Sequence, residues 1–166
     1  MGLLDGWKTC PRCATPLVDG PENARACPEC GSRFWGNSAP AVQGLLVRDG
    51  RVLLGRRRLP PRQGYWDLPG GFLEEGELPE DGLRREFLEE TGLAVTPVEF
   101  LGGVVDPYDH YFVLGLTYIV TGDGEPVAND DVEELRWFAP DEIPSEMAFP
   151  SQNAVLATWA GRVSAG

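Results

Sequence analysis

The sequence predicts an α/β domain with a mixed β-sheet, preceded by a small metal-stabilised module. Three observations support this. All four cysteines lie near the N-terminus as two C-x2-C pairs. Segments rich in β-branched and aromatic residues then recur and are typical of strands. Two segments have the start signals and composition of helices, one in the middle of the chain and one near its end. We expect the module at residues 1–36 and the larger domain at residues 37–166.

Length and composition favour an ordinary soluble globular protein. The chain has 166 residues, of which 42% are hydrophobic and 24% are charged, which suits one compact domain with a small appendage. No apolar run approaches the length of a membrane span, and the N-terminus lacks the pattern of a secretory signal. We therefore expect a cytoplasmic protein with no membrane partner.

The net charge of −12 bears on the class of partner. The whole excess falls on residues 41–166, which hold ten basic and twenty-two acidic side chains. Binding to nucleic acid depends on clustered Lys and Arg, so a large nucleic-acid partner is disfavoured. A small phosphate ester stays compatible, because a bound divalent cation supplies positive charge locally. The sequence leaves monomer and homodimer open.

The four cysteines predict a zinc site. Cys10 and Cys13 form the first pair, and Cys27 and Cys30 follow after thirteen intervening residues. This spacing is typical of four thiolates around one structural Zn²⁺. Disulfides or a redox C-x-x-C are the alternatives, and the expected cytosolic context disfavours the first. The segment resembles a zinc ribbon.

A hairpin is predicted at the start of the larger domain. Two apolar runs flank Asp49-Gly50, a strong two-residue turn signal. On the second run, alternation places Arg57 on the opposite face from its two arginine neighbours. We consider Arg57 a candidate to bind a substrate phosphate, and a solvated strand end is the alternative.

The central helix is predicted from Pro79 to about Thr91, because Pro is favoured at the first helical position and Gly92 is a stop signal. Two residues weaken this helix. Leu78 occupies the N-cap position, where Ser or Asp is preferred, and Gly82 costs about 1 kcal/mol relative to Ala.

Three carboxylates on this helix are the main candidate site. Glu86, Glu89 and Glu90 stand at i, i+3 and i+4, so they share one face. Carboxylates are hard oxygen ligands of the kind that Mg²⁺ prefers. The alternative is a solvated acidic face balanced by Arg84 and Arg85.

The spacing of the whole segment resembles the Nudix box, G-x5-E-x7-R-E-U-x-E-E-x-G-U, at every fixed position from Gly71 to Leu93. The resemblance implies an αβα sandwich that hydrolyses nucleoside diphosphates linked to another moiety. It also implies that Glu86, Glu89 and Glu90 are catalytic and bind Mg²⁺ or Mn²⁺. Further implications are a metal bond from the Gly70 carbonyl and a bracing pair between Glu77 and Arg85.

Candidates outside the box are less distinctive. Asp131 is our candidate for a further catalytic carboxylate, and a solvated turn is the alternative. Tyr108, Tyr111 and Phe149 are candidates to stack on a nucleotide base, although aromatic residues on strands are more often core. We also expect residues 106–110 to form a loop between two strands, and Ser151 to be the N-cap of a C-terminal helix.

Two further resemblances bear on which substrate the protein prefers. A zinc ribbon followed by a Nudix domain resembles bacterial NADH pyrophosphatases, but their S-Q-P-W-P-F-P-x-S run is missing after the box. Pro107, fourteen residues past Leu93, resembles the proline of ADP-ribose pyrophosphatases. We expect a small nucleotide substrate, ADP-ribose or a related ADP-linked compound. The alternatives are a nucleoside triphosphate, a diadenosine polyphosphate, or a nucleotide-sensing regulator whose ribbon binds a partner.

Overall fold

The computed structural model describes residues 3–164, so residues 1–2 and 165–166 of the two predicted domains lie outside the described residues. The chain divides into two compact units. The first unit contains the residues up to Ala39 together with Pro107–Val113, and the second unit contains Pro40–Asp106 and the residues from Leu114 onward. The boundary at residue 36 stays a prediction.

The first unit contains a small antiparallel sheet. Its strands are β1 (Val18–Asp19), β2 (Ala24–Ala26) and β3 (Arg33–Trp35), in that spatial order. Cys10, Leu17 and Cys27 are buried in a cluster on which Phe34 packs. This cluster is too small to be a self-sufficient hydrophobic core, as expected of a module that needs a staple.

The larger sheet has seven strands: β4 (Ala39–Arg48), β5 (Arg51–Arg57), β6 (Trp66–Asp67), β7 (Gly70–Phe72), β8 (Thr96–Tyr108), β9 (Tyr111–Thr121) and β10 (Val132–Phe138). Their order is β10-β5-β4-β9-β8, with β6 paired to β5 and β7 paired to β4. The predicted hairpin is confirmed, since Asp49 and Gly50 take positive φ between β4 and β5. β6 and β7 precede the central helix in the chain and lead to its start.

Helices α1 (Pro79–Thr91) and α2 (Pro150–Ser164) cover opposite faces of this sheet. Successive residues of a strand point to opposite faces, and the two core clusters follow that alternation. Leu46 packs with Phe87 of α1, whereas its neighbour Leu45 packs with Leu156 of α2. The predicted αβα sandwich is therefore confirmed. Within residues 3–164, neither helix has the length and apolar character to cross a membrane.

Two local expectations were wrong. The segment 106–110 is mostly strand, because β8 continues through Pro107 to Tyr108 and only two residues form the turn. Proline is tolerated there because β8 is an edge strand. Ser151 is not the N-cap, since α2 already begins at Pro150. Instead the backbone N–H and the hydroxyl of Ser151 both donate to the buried Asp106 carboxylate, which caps the helix from β8.

Candidate active site

Helix α1 sets the positions of the three box glutamates. It has the bounds expected from the sequence, with Leu78 in an extended conformation before it and Gly92 after it. Leu83 and Phe87 are fully buried and fix the face that meets the sheet. Beside that face, Glu90 is 7% exposed, whereas the Glu89 side chain is 47% exposed. The three carboxylates therefore have unequal environments.

Arg85 braces the loop before α1. Its guanidinium donates two bonds of 2.9 Å to the two oxygens of Glu77, and a third of 3.0 Å to the Phe72 carbonyl. Its Nη1 also donates to Glu86 at 2.7 Å and to Glu89 at 3.1 Å. The Arg85 bonds are the main cause that lowers the pKa of Glu77 to about 2. One side chain thus connects the loop to two of the box glutamates.

Close packing around position 82 explains why the helix has a glycine there, which the sequence did not reveal. A Cβ at this position would overlap the Leu73 side chain and would lie 2.8 Å from Glu77 Oε2. Both neighbours are held, Leu73 against the core and Glu77 by Arg85. The glycine lowers helix propensity but lets the loop lie directly on the helix.

Glu90 is held by the backbone of the paired glycines. Its Oε2 accepts a bond of 2.9 Å from the Gly70 N–H. Gly70 has φ 148°, and a Cβ there would overlap the Val42 carbonyl on β4. A Cβ on Gly71 would lie 2.5 Å from the Glu86 carboxyl group. Only residues without side chains allow these carboxylates to approach the strand.

Asp131 is brought to the glutamates by backbone bonds. The Asn129 N–H donates to the Glu90 carbonyl at 3.0 Å, and the Arg58 N–H donates to the Asp131 carbonyl at 2.7 Å. These bonds tie the turn before β10 to the end of α1 and to β5. Burial raises the pKa of Glu86 and, more strongly, that of Glu90, and the charge of Asp131 adds to both effects.

A small cavity joins these groups to Arg57. Its lining consists of Gly55, Arg57, Asp67, Leu68, Pro69, Glu90, Asp131 and Val132. The cavity volume is about 10 Å³, the room of about one water molecule. Arg57 Nη1 donates to Asp67 Oδ2 at 2.8 Å, and its guanidinium lies 5.9 Å from the centre of the Phe149 ring. The structure thus brings together Glu90, Asp131, Arg57 and Phe149.

Two residues of this site, Asp67 and Arg62, were missed from the sequence. Asp67 lies on β6 beside the cavity, and burial raises its pKa despite the charge of Arg57. Arg62 lies over the Phe149 ring at 5.0 Å and donates to the Ala148 carbonyl. The only available signal for Asp67 was its place three residues before the paired glycines. Arg62 had no signal beyond its charge.

The tyrosine candidates belong to the first unit. Tyr108 ends β8, Tyr111 begins β9, and their ring centres are 5.5 Å apart. They flank the turn formed by Asp109 and His110, whose side chains are bonded at 2.9 Å. A role for the two rings in base stacking stays a prediction.

The four cysteines converge in the first unit. Their Sγ atoms all lie within 4.8 Å of one another. Cys13 and Cys27 are 3.4 Å apart and Cys10 and Cys30 are 3.7 Å apart, well beyond the bond length of about 2.05 Å in a disulfide. Each C-x2-C segment forms a tight turn. The Ala14 N–H donates to the Cys10 carbonyl in the first segment, and the Gly31 N–H donates to the Cys27 carbonyl in the second.

Comparison with known proteins decides the family. The NUDIX domain model matches residues 38–159. The chain belongs to the Nudix family. The fold is also similar to that of a NUDIX hydrolase from Nitrosomonas europaea, known from a crystal structure. The two structures superpose with a TM-score of 0.79 at 26% sequence identity, over 93% of this chain and 92% of the other.

Two curated relatives have informative names. The NAD-capped RNA hydrolase NudC of Pseudomonas aeruginosa is 32% identical over 149 residues, which are 88% of this chain and 51% of the relative. The ADP-ribose pyrophosphatase of Methanocaldococcus jannaschii is 36% identical over 128 residues, 74% of each chain. The chain therefore spans about half the length of the NudC proteins that it matches.

Proposed function

We propose that this chain hydrolyses the pyrophosphate bond of an ADP-linked small molecule, with ADP-ribose preferred, and that the reaction depends on Mg²⁺ or Mn²⁺. The observation that carries the proposal is the small cavity in which Glu90 and Asp131 meet Arg57. The names of both relatives support the substrate class, because NAD and ADP-ribose share an adenosine diphosphate group.

The carboxylates of the box suit a hard divalent cation. Among the bonds within residues 3–164, Glu86 uses Oε1, whereas Glu89 and Glu90 each use Oε2. The second oxygen of each carboxylate is left for a metal, and the Gly70 carbonyl is proposed as a further ligand. When bound, the metal neutralises charge on the phosphate oxygens and lowers the pKa of a water molecule.

The proposed catalytic roles of the side chains follow from their positions around the cavity. Glu90 and Asp131 line a cavity with room for about one water. We propose that Asp131 orients the attacking water and accepts its proton, while Glu90 holds the metal beside it. Arg57 lines the same cavity and is proposed as the cation for the substrate phosphate. Arg85 holds Glu86 and Glu89 in position but is not itself proposed to touch the substrate.

Phe149 of the second unit and, separately, Tyr108 and Tyr111 of the first unit are the candidates proposed for stacking on a nucleotide base. Substitution of both tyrosines by Ala should raise KM about tenfold or more, consistent with roughly 1–3 kcal/mol for each base–aromatic stack. The matched control is Phe112→Ala, which removes an exposed ring from the same hairpin. An unchanged substrate ranking in the double variant would restrict base binding to Phe149 or to Trp66.

We further propose that the four cysteines hold one structural Zn²⁺. Thiolates at about 2.3 Å in a tetrahedron lie roughly 3.8 Å apart, close to the two shorter Sγ separations of 3.4 and 3.7 Å. Four protein ligands leave no position for a substrate, so this metal would stabilise the fold and not the transition state.

A substrate panel tests the proposed function. The panel contains ADP-ribose, NADH, FAD, a deoxynucleoside triphosphate, diadenosine polyphosphate and NAD-capped RNA, each with and without Mg²⁺. We expect the highest kcat/KM for ADP-ribose, with AMP among the products, and poor turnover of RNA because the net charge of −12 repels a polyanion. Tight nucleotide binding without metal-dependent turnover would instead support the sensing regulator.

A further inference from the structure

A continuous chain of polar side chains crosses the interior of the second unit and ends at the cavity. Gln43 Nε2 donates to Thr117 at 2.8 Å, and Gln152 Nε2 donates to Gln43 Oε1 at 2.8 Å. Gln152 Nε2 also donates to Asp67 Oδ1, and Arg57 donates to Asp67 Oδ2. The chain therefore connects β9, β4, α2, β6 and β5 in turn. We call these five side chains the polar relay.

Stability alone does not account for the polar relay. Gln152 is 1% exposed, and within residues 3–164 its Oε1 is buried without a hydrogen-bond partner. An unsatisfied buried polar atom costs about 1–3 kcal/mol, whereas an apolar side chain of similar size in the same core would avoid that cost. The bonds that Gln152 does make join α2 to β4 and to Asp67 on β6.

Asp67 is the point at which the relay meets the cavity. One of its oxygens accepts from Gln152 and the other accepts from Arg57. Both oxygens are therefore engaged, so Asp67 is a poor candidate for a metal ligand although it lies near Glu90 and Asp131. The bond that Oδ2 accepts from Arg57 Nη1 instead restricts the direction of the guanidinium, because a charge-assisted hydrogen bond is short and strong.

Arg57 is further fixed along its own side chain. Its Nε donates to the Pro61 carbonyl at 3.1 Å, and only 16% of the side chain is exposed. A flexible arginine would lose rotamer entropy when it bound a phosphate. An arginine already held against the cavity wall has lost that freedom in the free protein.

We propose that Gln152 and Asp67 are positioning residues that hold Arg57 as the cation for a substrate phosphate beside Glu90 and Asp131. This inference rests on the proposed function. It assigns to α2, which contributes no residue to the Nudix box, a role in substrate affinity. The relay acts on the bound phosphate and not on the water, so its loss should change KM more than kcat.

The test compares Asp67→Asn and Gln152→Met with the wild type. Asp67→Asn removes the charge that holds Arg57, and we expect KM for the best substrate to rise about tenfold with kcat changed less than about twofold. Gln152→Met keeps the length of the side chain but removes its donor, and should raise KM about threefold. Leu156→Ala, one turn further along α2 and fully buried, is the control for lost stability.

A second measurement does not depend on turnover. In ¹⁵N spectra the Arg57 Nη1–H signal, assigned from Arg57→Lys, should exchange slowly with water, because Nη1 donates to Asp67, and should shift when inorganic pyrophosphate and Mg²⁺ are added. Asp67→Asn should abolish the slow exchange and weaken the shift, whereas Leu156→Ala should retain both. If the wild type hydrolyses no panel compound, the proposed function fails, and these spectra still decide the relay.

Three outcomes would overturn the inference. The first is an unchanged KM in Asp67→Asn together with a protected Arg57 signal. The second is a parallel loss of activity in Asp67→Asn and Leu156→Ala, which would mean that the relay only supports the fold. The third is an Arg57 signal that pyrophosphate does not move.

Discussion

Replacement of Gly82 by Ala separates helix propensity from packing. Propensity alone predicts that Gly→Ala inside a helix stabilises the protein by about 1 kcal/mol. The structure predicts the opposite sign, because the added Cβ would overlap the Leu73 side chain and lie 2.8 Å from Glu77 Oε2. Overpacking of a well-packed site costs roughly 1–3 kcal/mol. The net expectation is a loss of about 1 kcal/mol in the free energy of unfolding.

The matched control is Gly161→Ala on α2. Gly161 is exposed, and no atom lies within 4 Å of the position of its Cβ. This variant should gain about 1 kcal/mol, so the two substitutions should differ by about 2 kcal/mol in urea denaturation at neutral pH. Gly82→Ala should also lose kcat, because a displaced Glu77 loosens Arg85 and, through it, Glu86. An equal gain in stability from both substitutions would refute this packing argument.

Four further predictions concern charge and metal. Glu90→Gln should lower kcat at least about a hundredfold, roughly 2.7 kcal/mol, without unfolding the protein; normal Mg²⁺-dependent activity would contradict the assignment of the metal site. Burial raises the pKa of Glu90 above the ordinary glutamate pKa of 4.5. As pH rises above 4.5, ionisation of Glu90 therefore destabilises the metal-free fold. Metal-free Glu90→Gln should be at least as stable as the wild type in thermal unfolding at pH 7. Arg85 lowers the pKa of Glu77 to about 2. Glu77 should therefore stabilise the fold above pH 4.5, and this stabilisation should be lost progressively toward pH 2. The prediction is contradicted if the free energy of unfolding of Glu77→Gln falls with pH as steeply as that of the wild type. Elemental analysis of chelator-washed protein should find one equivalent of zinc. Cys27→Ser should lose this zinc and increase the protease sensitivity of residues 1–40 while hydrolysis continues. A loss of catalysis with the second unit still folded would mean that the zinc module helps to form the site.

The parts predicted well from the sequence depend on short-range signals. The Asp49-Gly50 turn and the bounds of α1 are set by residues within one or two turns of the chain. The brace between Arg85 and Glu77 spans only eight residues, and a motif of known spacing covers it. In each case the determining contacts are local, so the pattern of residue types contains them.

The parts that were missed depend on distant partners. Asp106 caps α2 across 45 residues, so no inspection of the residues before Ser151 could identify the cap. Gln43 and Gln152 are 109 residues apart and meet only because the sheet and α2 pack together. Gly82 was interpreted as a weakness because its benefit lies in the Leu73 side chain of the preceding loop. Asp131 was predicted as a candidate, but only tertiary structure shows that it shares a cavity with Glu90.

The conformation of Gly70 limits how this protein can be re-engineered. Its φ of 148° and the overlap that any Cβ would make with the Val42 carbonyl exclude all other residues by two independent criteria. A saturation library at position 70 should therefore return glycine alone among folded clones, whereas position 62 or 149 can vary. Directed evolution of substrate preference can therefore vary Arg62 and Phe149, which lie close to each other and to Arg57, but cannot vary Gly70, whose N–H holds Glu90.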